Sequence, residues 1–380
     1  MPRSPHHISV AFSVTNCICC DQRVHKMAET VSNLGCDITI IGRKRGACCE
    51  SGTVPFKTIR FNMFFNRGFL FYKFFNIRLF FYLLFHRFDI LVPNDLDTLL
   101  PNYLISRLKQ LPLVYDSHEY FTGVPELNGR PFVKWVWTSV ERFILPGLKN
   151  VITVSNSIAD QYKSEYNVKP LVIRNCAGNS AGIIPYSRED IEIKPDHLIV
   201  IFQGAGINTD RGGEELIEAV KRTEKVTLLI VGSGDKLGIL KDKVNGSEIE
   251  QRMKFIPKVP WEELMRYTKL ADVGVSLDKD TSLNYRYSLP NKLFDYISAG
   301  IPVIAGDLPE VGKIIDTYKC GILIPVITPD EISKAIVKLR DNRELLNRLK
   351  QNSISASESL NWESESEQVN ALYNKVLQNF

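Results

Sequence analysis

The chain has 380 residues, 44% hydrophobic and 24% charged, which excludes disordered and fibrous classes and is too long for one ordinary core. A net charge of +4 makes no demand for nucleic acid, and none is expected as a partner. The sign is uneven, however: residues 1–180 carry 21 Lys and Arg against 13 Asp and Glu, and the remainder carries 26 against 30, so any anionic partner surface belongs with the first half.

Met1 to His7 is polar and contains proline, unlike a secretory signal. His7 to Val14 predicts a buried strand, Asp21 to Leu34 a helix stopped by Gly35, and Asp37 to Ile41 a second strand, together a βαβ unit. The eight cysteines are Cys17, Cys19, Cys20, Cys36, Cys48, Cys49, Cys176 and Cys320. Their spacing suits neither a disulfide framework nor a zinc site, and they are expected to be reduced thiols of a cytoplasmic protein.

Phe56 to Phe88 holds twelve Phe, two Tyr and six Lys or Arg, with no acidic residue. Lys73, Asn76 and Arg78 interrupt any membrane span, because charge at a bilayer centre is costly. A helix lying in a membrane interface is expected here, so that residues 56–88 contact a membrane surface.

Strand and helix then alternate: Asp89 to Val92, Asp97 to Lys109, Pro112 to Tyr115, Pro131 to Leu148, Val151 to Val154, and a helix Asn156 to Tyr166 capped by its own Asn. Asn175 to Asp196 reads as a linker. A second cycle has strands at Leu198 to Phe202, Val226 to Val231, Met253 to Ile256, Val273 to Ser276 and Pro302 to Ile304, and a last amphipathic helix at Trp362 to Gln378. The expected class is α/β: two Rossmann-like doubly wound domains facing a cleft, residues 1–180 and 181–360, with a C-terminal helix, 361–380, crossing back to the first.

Asn284 to Gly306 is the segment richest in chemistry. Pro290 suits a first helical turn, whose free amides attract an anionic diphosphate. Lys292 adds a cation, and Asp295, one turn further on, is placed to accept hydrogen bonds from ribose hydroxyls.

SLPNKLFDYISAGIPVIA resembles the SLPNKLFEY-type signature of group 1 glycosyltransferases, the retaining glycosyltransferase family 4 of GT-B fold. The likeness extends through DQRVHKMAETVSNLGCDITII, NDLDTLLP, YDSHEYF and NVITVSNSIADQY, then FQGAGINTDRGGEELIEAV, LLIVGSGD and KFIPKVPWEELMRYTKLADVGVSL. It implies transfer of a sugar from a UDP- or GDP-linked donor to a glycan or lipid-linked acceptor, with retention, in cell-surface glycan synthesis. No cofactor and no metal are expected, because cationic side chains and helix amides take a metal's role, and the aromatic, basic stretch 56–88 leads to a protein peripheral to the inner face of the membrane. Arg211 and Lys292 would neutralise the leaving diphosphate. Gly204, Gly206, Gly232 and Gly234 would let phosphate approach the backbone. The stretch from Ile256 to Lys258 would read the nucleobase, and the loop of Tyr287, Ser288, Leu289, Pro290 and Asn291 would hold the donor. His118 would meet the donor sugar or its phosphate as a neutral imidazole. Asp116 and Glu119 would orient it or bind acceptor hydroxyls, and Asp21 and Arg23 would lie on the acceptor side. The family carries two Glu eight positions apart, where this chain has Tyr287 and Asp295. A nucleotide-sugar 2-epimerase or a non-catalytic nucleotide-sugar-binding subunit fits the same architecture.

Overall fold

The computed structural model describes residues 7–44 and 54–378, so Cys48, Cys49 and residues 1–6 lie outside the described part. The chain divides into two units, Met1–Arg174 with Glu365–Phe380, and Asn175–Ser364.

The first unit runs β1 (Ser9–Cys17), α1 (Gln22–Ser32), β2 (Asp37–Arg43), β3 (Lys57–Phe61), α2 (Gly68–Phe85), β4 (Ile90–Pro93), α3 (Leu96–Lys109), β5 (Val114–Ser117), α4 (Pro131–Ile144), β6 (Asn150–Thr153), α5 (Asn156–Tyr166) and β7 (Leu171–Val172). Strands pair in parallel in the order β3-β2-β1-β4 and β5-β6-β7. Parallel bridges from Leu91 to Leu113 and Asn94 to Asp116 join the two sets. The order reverses between β1 and β4, the crevice position at which doubly wound sheets place their chemistry. Strands of this kind are covered on both faces, which is why β1 and β4 read as unbroken apolar runs.

The aromatic stretch begins as a strand, β3, and becomes a helix only at Gly68. Among the described residues α2 is the helix long and apolar enough to cross a membrane. It nevertheless buries Phe71, Phe75, Leu79 and Leu83, one every fourth residue, against the core beneath it. Asn76, the polar break in the middle, donates to the carbonyls of Tyr72 and Asp97, both at 2.8 Å, and so ties α2 to α3. The cap of α5 is Ser155 rather than Asn156, its hydroxyl accepting the Ile158 N–H at 3.3 Å.

The second unit runs β8 (Leu198–Gly204), α6 (Gly213–Lys221), β9 (Val226–Gly232), α7 (Leu237–Val244), β10 (Met253–Pro257), α8 (Trp261–Leu270), β11 (Val273–Ser276), α9 (Leu283–Tyr287), α10 (Asn291–Ser298), β12 (Val303–Gly306), α11 (Pro309–Tyr318), β13 (Gly321–Ile324), α12 (Pro329–Asp341) and α13 (Arg343–Ser357). Its six parallel strands lie in the order β10-β9-β8-β11-β12-β13, with the reversal between β8 and β11. The stretch expected to be a linker is irregular but anchored. Cys176 and Ala177 are buried in the core of this unit, and Ser180 donates to the Ser298 carbonyl at 2.8 Å. The last helix, α14 (Trp362–Leu377), returns the chain to the first unit, where Glu365 takes the Arg174 backbone N–H at 2.8 Å and its guanidinium at 2.5 Å.

Candidate functional site

In the second unit the structure brings Arg211 and Lys292 together. Arg211 lies between β8 and α6, and Lys292 is the second residue of α10. Both reach one carboxylate oxygen, Asp278 Oδ1, Arg211 Nη1 at 2.8 Å and Lys292 Nζ at 3.3 Å. Asp278 is buried just beyond the end of β11, and its Oδ2 has no hydrogen-bond donor. Arg211 stacks on Tyr285 at 4.2 Å, and Lys292 lies 5.4 Å from the centroid of the Phe202 ring. Gly212, at φ 72°, makes this approach possible, since a Cβ there would stand 2.4 Å from that of Leu277. Burial pushes the Asp278 carboxyl up, but the Lys292 and Arg211 charges outweigh it and hold the group below its usual range. Burial also pushes the Lys292 ammonium down. Two cations and one carboxylate leave one positive charge at the β8–β11 reversal. Asp278 was absent from the expected set. Its only signal is an acid just past a buried strand end.

The glycines divide. Gly204 and Gly206 have no neighbour closer than 3.5 Å to a built Cβ, so this backbone stays open to a phosphate. Gly232 and Gly234 serve another purpose. At φ 141° and 154° their missing Cβ atoms would stand 1.9 Å from Gly204 O and 2.3 Å from Ile207 N. The turn is zipped to the loop after β8 by Ile207 N–H to Ser233 O (2.8 Å) and Ser233 N–H to Gly204 O (3.1 Å). Backbone therefore fills the place of each missing side chain, and the packing of the two turns by itself requires these glycines. Ile256 packs on the core and Lys258 is exposed. In the expected donor loop Leu289 is a core residue, Tyr287 is half-buried, and Ser288 donates to the Tyr285 carbonyl at 3.1 Å. Pro290 caps α10 from outside instead of forming its first turn. Asn291 Oδ1 accepts from Asn175 Nδ2 at 2.7 Å.

Asp295 corrects the ribose assignment. It is buried, and both oxygens are taken, Oδ1 by Trp261 Nε1 and Oδ2 by Gln203 Nε2, each at 3.0 Å. Gln203 is fixed in turn, because its Oε1 accepts from Thr268 at 2.8 Å. Asp295→Asn opposes an amide N–H₂ to one of two donors, at a cost of about 1–3 kcal/mol. The melting temperature of the variant is expected to fall, at about 2–4 °C per kcal/mol, with nucleotide affinity unchanged. Weaker nucleotide binding at an unchanged melting temperature would return Asp295 to the donor site.

In the first unit a second cluster stands at the β1–β4 reversal. His118 Nδ1 is 3.5 Å from Asp95 Oδ2, and its Nε2 is 3.3 Å from both Asp116 Oδ2 and Asn94 Oδ1. Its backbone N–H donates to Asp95 Oδ1 at 2.8 Å. Burial alone would lower the imidazole, but Asp95 and Asp116 outweigh it and push it up to about 9. The two carboxylates thus favour the imidazolium form of His118 over the neutral ring expected of it.

Arg23 and Asp116 are buried rather than turned to an acceptor, and Asp116 lies against His118 as the first of its two expected roles requires. They form a buried ion pair, Arg23 Nη2 to Asp116 Oδ1 at 2.7 Å and Nε to Oδ2 at 3.0 Å, with Arg23 Nη1 on the Ile173 carbonyl at 2.9 Å. The pair ties α1 to β5. Asp116, pushed up by burial, is held well below the carboxylate range by Arg23 and His118. Asp21 caps α1 by accepting from Val24 N–H at 3.2 Å, and Glu119 is half-buried.

Two acids of this cluster, Asp95 and Asp97, were not anticipated. Asp95 has φ 61° and ψ 166°, a region nearly reserved for glycine. Asp97 is bonded to Thr15, and burial raises its carboxyl to about 7. Among the described residues no group of His, Cys, Asp and Glu is arranged to hold a metal ion.

Residues 21–177 match the profile described as Glycosyltransferase Family 4, and residues 184–356 that of Glycosyl transferases group 1. Chitobiosyldiphosphodolichol beta-mannosyltransferase of Candida albicans is 24% identical over 182 residues, 45% of this chain and 38% of that protein. The chain thus spans well under half the length of this relative and of its Candida glabrata counterpart. Sucrose-phosphate synthase from Thermosynechococcus elongatus superposes with a TM-score of 0.80 at 17% identity, covering 98% of this chain and 100% of that one. Anabaena HepE in complex with UDP-glucose superposes with a TM-score of 0.74 at 15% identity, covering 97% and 100%. At such identities these two likenesses speak for the fold. Two family profiles in chain order, on two Rossmann-like units, show that the chain belongs to the group 1 glycosyltransferases of GT-B fold.

Proposed function

We propose that the protein transfers a sugar from a UDP- or GDP-linked donor to a lipid-linked or glycan acceptor, with retention, in cell-surface glycan synthesis at the inner face of the membrane. The observation that carries this is the convergence of Arg211 and Lys292 on a single buried oxygen at the second sheet's reversal. Sugar transfer leaves a nucleoside diphosphate whose charge rises as the glycosidic bond breaks. Fixed cations aimed at that charge supply the main electrostatic stabilisation. The first-turn amides of α10 add the positive end of a helix dipole, and the open backbone at Gly204 and Gly206 lets a phosphate come close. No metal is required in this reading, because the two side chains take its role. A neighbour in fold binds UDP-glucose, and a relative is named for a diphosphodolichol-linked acceptor, which supports both substrate classes.

The test has two stages. A thermal-shift series with UDP, GDP and their sugars is expected to select one base, with about 2.7 kcal/mol of stabilisation at a hundredfold excess over Kd. The selected donor is then incubated with a lipid extract, and acceptor-dependent release of nucleoside diphosphate is followed. Conversion of the donor to an isomeric nucleotide sugar without acceptor would instead show an epimerase. Full affinity without turnover would show a binding subunit.

A further inference from the structure

We propose that the loop 62–67 and the outer face of α2 dock on an anionic lipid bilayer, with Phe64 as the inserting side chain. Phe64 is 100% exposed, and the loop carrying it is fixed at both ends. Arg78 Nη1 donates to the Asn62 carbonyl at 2.8 Å while its guanidinium lies over Phe61. Arg43 Nη1 donates to the Asn66 carbonyl at 3.0 Å while its guanidinium lies over Phe71. Two arginines therefore hold a bare aromatic ring in water, an arrangement that gains only if the ring leaves water elsewhere.

The surrounding chemistry names the occupant. Phe65 stacks on Phe74, and Phe69, Phe74, Phe81 and Phe85 stand exposed along α2. Arg67 and Lys73 are exposed among them. The neighbouring helices carry the same sign. Asp97 and Glu141 are the only acids in α2, α3 and α4, and both are buried, whereas Arg107, Lys134 and Arg142 are exposed. α4, which meets α2 through Trp137 on Tyr72, leaves Phe132 and Trp135 exposed as well. Exposed aromatic rings on helices whose own solvent-facing charges are all basic suit an anionic interface. The helix lies on the bilayer rather than across it, since Phe71, Phe75, Leu79 and Leu83 are committed to the core.

This deepens the proposed function by giving the surface on which a lipid-linked acceptor is met, and it rests on that reading only for the acceptor. Sedimentation of the full chain with phosphatidylglycerol-containing vesicles is expected at low salt, with release as salt rises and little binding to phosphatidylcholine alone. Phe64→Ser is expected to weaken binding about tenfold or more with the melting temperature unchanged. Arg67→Glu with Lys73→Glu is expected to abolish it. Arg78 is left intact because it holds the loop. Equal binding by Phe64→Ser, or no binding by the unaltered protein, would overturn the proposal. So would a dimer in vesicle-free solution that Phe64→Ser dissolves, since the face would then belong to a second copy. Nucleotide affinity is measured in the same variants and should not move. Vesicle binding without any nucleotide binding would leave the docking face standing and remove the transferase reading instead.

Discussion

Replacing Arg211 and Lys292 together by alanine is expected to remove nucleoside diphosphate binding, and each single replacement to lower turnover more than about tenfold, or about 1.4 kcal/mol. The double variant has a second consequence that the sequence does not foretell. Both cations rest on Asp278 Oδ1, so their removal strands a buried carboxylate. Breaking a buried pair by deleting one side costs about 3–5 kcal/mol. A loss of binding would then be confounded with a loss of fold. Adding Asp278→Asn resolves this, because the stranded charge is gone. The triple variant should recover most of the melting temperature and none of the diphosphate affinity. Calorimetric titration with UDP and GDP, beside a melting curve, separates the two effects. A triple variant that binds diphosphate as tightly as the parent would show that these cations serve only Asp278.

The dependence on pH follows from the same contact. The folded carboxyl of Asp278 lies below its free value, so its contribution to stability is present above the free value, near 4, and is lost as pH falls through the folded one. Acid should therefore loosen the second unit by releasing Arg211 and Lys292 from their common partner. Asp278→Asn should flatten that part of the profile.

The sheets were legible because parallel strands are covered on both faces and read as apolar runs. β3 was not, since it opens inside a stretch whose aromatic and basic residues hide any alternation, and its first four residues are exposed or half-buried. β7 is two residues long and escaped for lack of length, whereas β13 went unread although it is as long as β11 and β12. The aromatic segment was legible as a surface helix but not in its fixed loop, because the bonds from Arg78 and Arg43 to Asn62 and Asn66 leave no trace in composition. The cationic pair was legible from its motif, whereas its shared counter-ion was not.

Roles of buried polar residues were read least well, and for one reason. Spacing along a helix placed Asp295 near the first turn of α10, yet its partners come from α8 and β8, 34 and 92 residues away. Arg23 and Asp116, 93 residues apart, have no local signature of pairing. Gly-Ser-Gly after a strand looks the same whether phosphate or another backbone fills the space. Here the backbone of Gly204 and Ile207 occupies the place of the missing side chains. A carboxylate held in a glycine-like conformation has no sequence signal at all. Asp95 is nonetheless, with Asp116, one of the two carboxylates that raise the His118 imidazole.

Asp95→Gly is expected to make the protein more stable at pH 9.5 while removing the function of its first-unit cluster. The native backbone at φ 61° and ψ 166° costs of order 1–3 kcal/mol for a residue with a Cβ, and glycine adopts it freely. Burial also pushes the Asp95 carboxyl up to about 7, so its charge is a burden at alkaline pH that the variant sheds. His118 works in the opposite sense. Its folded value, about 9, lies above that of free imidazole, so its stabilising contribution is complete below about 6.5 and is lost as pH rises through 9. Near pH 8, where Asp95 and His118 are both charged, the variant forfeits part of that contribution, and its advantage over the parent shrinks or reverses. Melting curves across pH 6 to 9.5 should therefore converge or cross. Asp95→Asn keeps an acceptor for the His118 N–H and removes only the charge. In both variants the His118 ring, followed by NMR, should titrate at least about one pH unit lower. Turnover should fall, and its alkaline limb should move to lower pH with the imidazole. A His118 titration unchanged in both variants would mean that Asp116 alone holds the proton. An Asp95→Gly protein less stable than its parent at pH 9.5 would mean that the backbone at this position stores no strain.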